Sequence, residues 1–253
     1  MKPIIVKIGG STLGSHDTTL DDLVALQRED KTLVVVHGGH NVVTEWLSRL
    51  GIATRFIDGL RVTDHQTLQV VIAVLCGLVN KELVAAIQSR GGRAMGLCGI
   101  DGHLIEARIK NEELGQTGEI VKINVEPIEI LLKEGYIPII SPLGLEGEKA
   151  MPLNINGDTA AGEIAAALSA ERLIILTDVA GVMDGLGKPL PRLSPCEASS
   201  LIASGVVMGG MIPKVEACLC ALSTVPMTQI VDGRLPHALV DAIAGKGGGT
   251  IIA

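Results

Sequence analysis

Two lysines far apart in the chain each stand beside a pair of glycines, a combination suited to handling phosphate. Lys7-Ile8-Gly9-Gly10-Ser11 closes a short apolar run. Paired glycines after a strand let backbone N–H groups approach phosphate oxygens, and Lys7 would add a point charge. A Gly-Gly turn beside a solvated lysine accounts for the same residues equally well, and no Walker A pattern occurs anywhere in the chain. Met208-Gly209-Gly210-Met211-Ile212-Pro213-Lys214 places Pro213 and Lys214 in the first turn of a predicted helix. A cation there opposes the helix dipole, and that unfavourable placement points to a task such as meeting a phosphate.

Four further segments have chemistry to offer. His37-Gly38-Gly39-His40-Asn41 runs from a strand into a helix, and a helix amino terminus favours an anion. A plain turn explains it too, with His37 as a core histidine satisfied by backbone. Asp58-Gly59-Leu60-Arg61-Val62-Thr63 sets Arg61 after a glycine turn, just before a long helix opening around Asp64. Arginine is shaped to grip a carboxylate through two parallel hydrogen bonds, although most arginines are merely solvated. Asn154-Ile155-Asn156-Gly157-Asp158-Thr159 enters an Ala-rich helix, where Asp158 reads as an amino-terminal cap or as part of a crowded polar site. After Arg172 to Thr177, the loop Asp178-Val179-Ala180-Gly181-Val182-Met183 suits a nucleotide base and ribose.

Elements must position these residues. Short Ile- and Val-rich runs at Pro3 to Ile8, Thr32 to His37, Ile137 to Ser141, Arg172 to Thr177 and Thr228 to Asp232 read as buried strands. They alternate with helical patterns at Asn41 to Leu50, His65 to Gln88, Thr159 to Ser169 and Met211 to Ser223. The alternation predicts an α/β fold, a three-layer αβα sandwich around a mostly parallel open sheet. Segments near Arg55 to Val62, Arg93 to Leu97, Leu104 to Arg108 and Glu119 to Ile123 read as hairpins added to the sheet's edge. No linker separates the halves, so residues 1–170 and 171–253 are expected to be two lobes on a continuous sheet with a soft boundary near Ala170. Ligands of such sheets bind beyond the carboxyl ends of the strands, where the glycine turns fall.

Composition limits the partners. With 253 residues and 47% hydrophobic content, the chain can bury a substantial core. A net charge of −7 and only three aromatic residues, Trp46, Phe56 and Tyr136, argue against nucleic acid, which needs a basic track and stacking platforms. No run reaches the ~18 consecutive apolar residues of a membrane span, and the cytoplasm is the expected location. Cys76, Cys98, Cys196, Cys218 and Cys220 are odd in number without a C-x-x-C pair, and buried reduced thiols are expected.

In order along the chain, Lys7-x-Gly-Gly, His37-Gly-Gly, Asp58-Gly-Leu-Arg-Val-Thr, Val79-Asn-Lys-Glu, Asn154-x-Asn-x-Asp-Thr-Ala-Ala, Leu176-Thr-Asp-Val-x-Gly-Val, Gly209-Gly-Met-Ile-Pro-Lys-Val-Glu-Ala and Asp232-Gly-Arg resemble the acetylglutamate kinases of the amino acid kinase family. The resemblance spans nearly the whole chain. It implies transfer of the γ-phosphoryl group of ATP, with Mg2+ on its phosphates, to the side-chain carboxylate of N-acetyl-L-glutamate in arginine biosynthesis. Lys7 and Lys214 would stabilise the transferring group and Asp158 would hold both lysines. Gly9 and Gly10 would meet the phosphates, Gly38, Gly39 and His40 the acceptor and phosphates through backbone amides, and Arg61 and Asn154 the acceptor. Thr177, Asp178, Val179, Ala180, Gly181, Val182, Met183, Val206, Val207 and Met208 would line the adenine and ribose pocket.

One position departs from the family pattern: the loop usually reads His-Gly-Gly-Gly, and here the third glycine is His40. Its ring either lines the site, attracting the acceptor when cationic, or points away and leaves only its backbone in contact. The backbone reading is the one adopted. Rival readings are a carrier-protein-linked kinase of lysine biosynthesis, a carbamate or UMP kinase, and a metabolite sensor. The −7 charge and the Arg61 and Asn154 blocks favour free acetylglutamate. Arginine-inhibited members carry an additional amino-terminal helix that links dimers into a ring; the first strand here begins by Pro3, and a homodimer is expected.

Overall fold

The computed structural model describes residues 2–9, 18–147 and 150–253; Gly10 lies outside the described residues. Eight strands form one sheet in the order Arg192–Leu193, Thr250–Ile252, Thr228–Asp232, Arg172–Thr177, Ile4–Ile8, Leu33–His37, Ile137–Ser141, Ala94–Cys98. All neighbours are parallel except Thr228–Asp232 with Thr250–Ile252. Hydrogen bonding passes without a break across the Ala170 boundary, because Ile4–Ile8 pairs with both Leu33–His37 and Arg172–Thr177.

Strand alternation sorts the apolar residues into two cores, one on each face. Ile4, Val6, Ile8, Val35 and Ile139 pack beneath the Thr19–Arg28, His65–Ser89 and Ala238–Ile243 helices. Ile5, Val34, Val36, Ile140 and Ile175 pack beneath Gly157–Ala167 and Met211–Ala221. This is the predicted three-layer arrangement. Lys7 shares its face with Ile5, so a period of two aims it at the second pair of helices. The family of expected helices omitted Thr19–Arg28, although its buried Leu20, Leu23, Val24 and Leu26 follow helical spacing.

The expected edge hairpins are placed otherwise. Ala94–Cys98 is itself the parallel edge strand of the main sheet. Ile105–Ile109 and Gly118–Ile123 join Leu143–Glu146 and Met151–Asn154 in a separate four-stranded sheet. Pro142 separates Ile137–Ser141 from Leu143–Glu146; lacking an N–H, it cannot continue the ladder and the chain leaves the main sheet there. Phe56–Ile57 and Leu60–Arg61 form a two-stranded ribbon of their own around Asp58-Gly59. Of the five free cysteines only Cys218 is buried, and Cys196 is exposed, so burial of all the thiols does not hold.

The helix opening at Asp64, whose carboxylate accepts from Thr67 N at 2.7 Å, runs to Ser89 and widens into a π-helix over Ala73–Val79. By length and composition it is long and apolar enough to cross a membrane. Here it lays Val71, Leu75, Val79, Leu83 and Ile87 into the core.

The contact that matters most for the site is the crossing of Gly157–Ala167 with Met211–Ala221. A Cβ on Gly162 would lie 2.6 Å from the Ala217 carbonyl oxygen and 2.9 Å from its Cα. Only glycine permits that approach. Asp158 and Lys214 stand about one turn from this crossing on their respective helices. Gly162→Ala is therefore expected to force the helices apart and to lower stability by about 1–3 kcal/mol. Urea denaturation checks it, and an unperturbed midpoint would contradict the crossing.

Candidate active site

At the carboxyl ends of Ile4–Ile8, Leu33–His37 and Arg172–Thr177 lies a cleft of about 320 Å³. It brings together Lys7, Gly9, Gly38, Gly39, His40, Arg61, Asn154, Asp158, Thr177, Asp178 and Lys214, drawn from six separate sequence blocks.

Its centre is an ion-paired trio. Lys7 Nζ lies 2.8 Å from Asp158 Oδ1, and Lys214 Nζ donates to Asp158 Oδ2 at 3.0 Å. Lys7 and Asp158 are almost fully buried. Burial alone would raise the Asp158 pKa, but the two ammonium groups override it and hold the carboxyl below its ordinary range. Burial lowers the Lys7 pKa against the pull of Asp158, and Lys214 lowers it further. Asp158 is not the helix cap. That role falls to Asn156, whose Oδ1 accepts from Asp158 N at 2.8 Å and Thr159 N at 3.0 Å, leaving the aspartate free to face the lysines. Lys214 also donates to Gly210 O at 3.3 Å.

The glycine turns need a correction. Gly38 N donates to Ile8 O at 2.8 Å and Gly9 N to Leu176 O at 3.2 Å, so both amides are engaged in the sheet and neither is offered to a ligand. The donors at the cleft stand one step later. Gly39 is the N-cap of His40–Arg49 and has no side-chain cap, and the first-turn amides of His40 and Asn41 have no intrahelical acceptor. His37 works behind this turn. Its Nδ1 lies 2.7 Å from Gly38 O, and because a carbonyl only accepts, Nδ1 carries the proton. Nε2 then accepts, with Ser141 Oγ at 2.9 Å and Asn80 Nδ2 at 3.2 Å. Burial, with the charges of Lys7 and Lys81, lowers the His37 pKa to about 4, so the ring is neutral at physiological pH. Asn80, from the Val79-Asn-Lys-Glu block, also donates to Ile139 O at 2.8 Å and fastens the strand ends together.

Arg61 is buried in the wall of the cleft, and burial lowers its pKa to about 10. Its Nη2 is bonded, whereas Nη1 is buried with no hydrogen-bond partner among the described residues. Asn154 Nδ2 donates to Thr63 Oγ1 at 3.0 Å, and Thr117 Oγ1 donates to Arg61 O at 2.6 Å. Thr117 carried no sequence signal of its own, because hydroxyl residues fill turns everywhere, and Thr63 and Asn156 were legible only as members of their blocks, without a role. The His40 ring stacks on Phe56, and burial followed by Arg61, Lys214 and Lys7 lowers its pKa below the ordinary 6.5. The imidazole is neutral at neutral pH, against the cationic alternative.

The expected adenine and ribose residues divide. Thr177 and Asp178 line the cleft; Val179, Ala180, Gly181, Val182, Met183, Val206, Val207 and Met208 do not. Val182 belongs to the core, with its amide on Thr250 Oγ1 at 2.8 Å and its carbonyl accepting from Leu190 N. Val207 is likewise a core residue, whereas Met208 is exposed. Among the described residues no group of three or more His, Cys, Asp or Glu could hold a metal ion. Both Asp158 oxygens face lysines, so this donor set does not make a resident metal centre.

An open α/β sheet with two cations bridged by a buried carboxylate, glycine turns and helix-terminal amides around one cleft is the make-up of a protein that binds small anions. The chain belongs to the amino acid kinase family, whose model matches residues 2–229. An acetylglutamate kinase of Dehalococcoides mccartyi is 44% identical over 255 residues, covering 98% of this chain and 94% of that protein. Another, of a Synechococcus species, is 45% identical over 260 residues, covering 99% and 86%. The crystal structure of smu.665 from Streptococcus mutans UA159 superposes with a TM-score of 0.86 at 30% identity, covering 99% of this chain and 98% of that one.

Neutralising Asp158 would leave two ammonium groups facing each other. Asp158→Asn is expected to cost about 3 kcal/mol of stability, the low end for a broken buried pair because Lys214 retains access to water. Adding Lys7→Met should recover part of it. Denaturant titrations of single and double mutants check this, and equal stability of wild type and Asp158→Asn would deny the trio its central charge.

Proposed function

We propose that this chain transfers the γ-phosphoryl group of ATP to the side-chain carboxylate of N-acetyl-L-glutamate, giving the acyl phosphate and ADP in arginine biosynthesis. Full-length likeness to acetylglutamate kinases supports the acceptor. The observation that carries the reading is the buried, unpartnered Nη1 of Arg61 in the same cleft as Lys7 and Lys214. A dicarboxylate satisfies both ends: one carboxylate takes the arginine, the other meets the phosphoryl group at the lysines.

The acceptor carboxylate is ionised at neutral pH, so no general base is required. Catalysis then rests on alignment and on charge placed where the phosphoryl oxygens will be. In this reading Lys7 and Lys214 neutralise those oxygens, Asp158 keeps both ammonium groups in place, and the Gly39 and His40 amides add donors at a helix amino terminus. Asn154 contacts the acylated portion of the acceptor. Mg2+ would arrive on the nucleotide rather than on a protein site. In the same reading Thr177 and Asp178, which line the cleft, meet the nucleotide, and Val179, Ala180, Gly181, Val182, Met183, Val206, Val207 and Met208 are the candidates for its base and ribose. A cytoplasmic homodimer belongs to the same reading, and light scattering checks the oligomer.

Hydroxamate trapping of the acyl phosphate should register turnover with acetylglutamate well above that with glutamate or aspartate; comparable rates with the free amino acids would reject the acceptor. Lys7→Met and Lys214→Met should each lower kcat by orders of magnitude with the fold retained, because both charges act mainly on the group in transfer. A near-normal kcat would reduce that lysine to a structural role. Arg61→Ala should raise the acceptor KM, not that of ATP, through loss of a charge-assisted contact of about 1.5–3 kcal/mol. An unchanged acceptor KM would remove Arg61 from the site.

A further inference from the structure

Arg61 does not choose its own orientation. The Asp58-Gly59 turn pairs Phe56 with Arg61 across the ribbon, and the guanidinium carbon sits 4.9 Å from the centroid of the Phe56 ring. Nη2 donates to Thr44 Oγ1 at 2.8 Å and to the His40 carbonyl at 3.1 Å. Thr44 Oγ1 donates its own hydrogen to that same carbonyl at 2.9 Å, so the hydroxyl cannot rotate freely and its lone pairs face the arginine. Hydroxyls of Thr63 and Thr117 converge on Arg61 O at 3.0 and 2.6 Å and fix the backbone beneath. The His40 ring, stacked on Phe56 with centroids 4.7 Å apart and planes 24° apart, adds to the same wall. All these restraints act on the guanidinium plane, on Nη2 and on the backbone. Nη1 is left without a partner among the described residues.

Phe56 is the chain's only phenylalanine, and it stands 38% exposed at the surface rather than in a core. Packing does not demand an aromatic ring there; holding a cation over its face does.

The Lys7–Asp158–Lys214 trio in the same cleft is equally constrained, by the buried ion pairs at 2.8 and 3.0 Å and by the helix crossing at Gly162. Two fixed ends make a gauge.

We propose that Phe56 and Thr44 are positioning residues that hold Arg61 at one set distance from the Lys7–Asp158–Lys214 trio, and that this distance selects the acceptor by chain length. An acylated glutamate spans it, and an acylated aspartate, one methylene shorter, does not. The inference rests on the acceptor reading given under Proposed function and adds what enforces it.

Kinetics of wild type, Phe56→Leu, Phe56→Tyr and Thr44→Val with N-acetyl-L-glutamate and N-acetyl-L-aspartate test it. Wild type should prefer acetylglutamate at least tenfold in kcat/KM, since one methylene discriminates roughly 10–200-fold. Phe56→Leu and Thr44→Val should each raise the acetylglutamate KM roughly five- to tenfold while the ATP KM stays within about twofold, and should compress the preference by a similar factor. Phe56→Tyr keeps the aromatic face and should restore wild-type behaviour. An unchanged preference in both Phe56→Leu and Thr44→Val overturns the proposal, as does a parallel loss for both acceptors and ATP, which marks general damage. Proton NMR of the Arg61 guanidinium supplies a readout independent of activity. Its Nη signals should be resolved in wild type and Phe56→Tyr and merge in Phe56→Leu; resolved signals in all three overturn the cradle. Absence of wild-type turnover with acetylglutamate removes the acceptor reading and the length selection with it, and the NMR comparison then decides the cradle alone.

Discussion

The single carboxylate of Asp158 is what the cleft depends on. Lys7 and Lys214 come from opposite ends of the chain, and two ammonium groups converging in a poorly solvated space would repel each other and lose hydration. Asp158 supplies each with a partner, one oxygen apiece. Everything around it serves that bridge. The central strand Ile4–Ile8 delivers Lys7 on the face of the sheet that carries the Gly157–Ala167 helix. Asn156 takes over the capping that an aspartate at that position would otherwise perform. Gly162 lets the second helix come close enough for Lys214 to reach. The net charge left over is one positive unit from three groups, enough to favour an anion without leaving any of the three unpaired.

A second constraint comes from the sheet itself. Parallel strands engage the amides at their carboxyl ends, so a glycine directly after a strand is not free merely because it is a glycine. Gly9 and Gly38 both donate within the sheet, and the groups that remain belong to the next residues, where the chain turns into a helix and the first amides lack acceptors. His37 fixes where that turn begins by donating to Gly38 O, and Ser141 and Asn80 hold the ring from behind. Ser141 Oγ also lies 3.1 Å from Leu75 O, inside the π-helical segment. The irregular helix, the strand ends and the turn thus share one buried polar network.

How much of this was legible follows from what each residue has to do. Five central strands were readable because burial on both faces demands continuous β-branched runs, as in Ile4–Ile8 and Leu33–His37, and four helices by their apolar period, whereas the covering helices Thr19–Arg28 and Ala238–Ile243 and the edge strands were not. Lys7, Asp158, Lys214 and Arg61 were readable because charged residues beside glycines or helix starts need a reason. The destination of the short alternating segments was not: Ile105–Ile109 and Gly118–Ile123 show the same one-sided pattern whether they extend a sheet or build another, and Pro142 decides between them only once its neighbours are known. Val182 looked like a loop residue because Gly181 precedes it, yet Thr250, distant in sequence, draws it into the core. Thr44 and Phe56 gave no signal because their significance lies in a partner, Arg61, that the chain brings to them only by folding.

The cleft also concentrates groups that the fold leaves unmet. Nη1 of Arg61 is buried without a partner, the first amides of His40–Arg49 are uncapped, and Lys214 stands in the first turns of a helix whose dipole opposes it. Each lowers the stability of the empty protein, and each is relieved by negative charge. Side chains cap other helices at Asp64, Asn156 and Ser194, the last with a reciprocal Ser194–Glu197 box, whereas Thr19–Arg28, Glu126–Lys133 and Ala238–Ile243 share with His40–Arg49 the lack of a side-chain cap. What sets His40–Arg49 apart is its place, with its first turn lining the cleft. Stability withheld at these positions becomes binding energy when an anion enters, because a ligand that binds only the folded state stabilises it by what the bare site lacked. A cleft whose cations and amides are already oriented needs little rearrangement when charge shifts during transfer, which is where preorganised electrostatics contributes to rate.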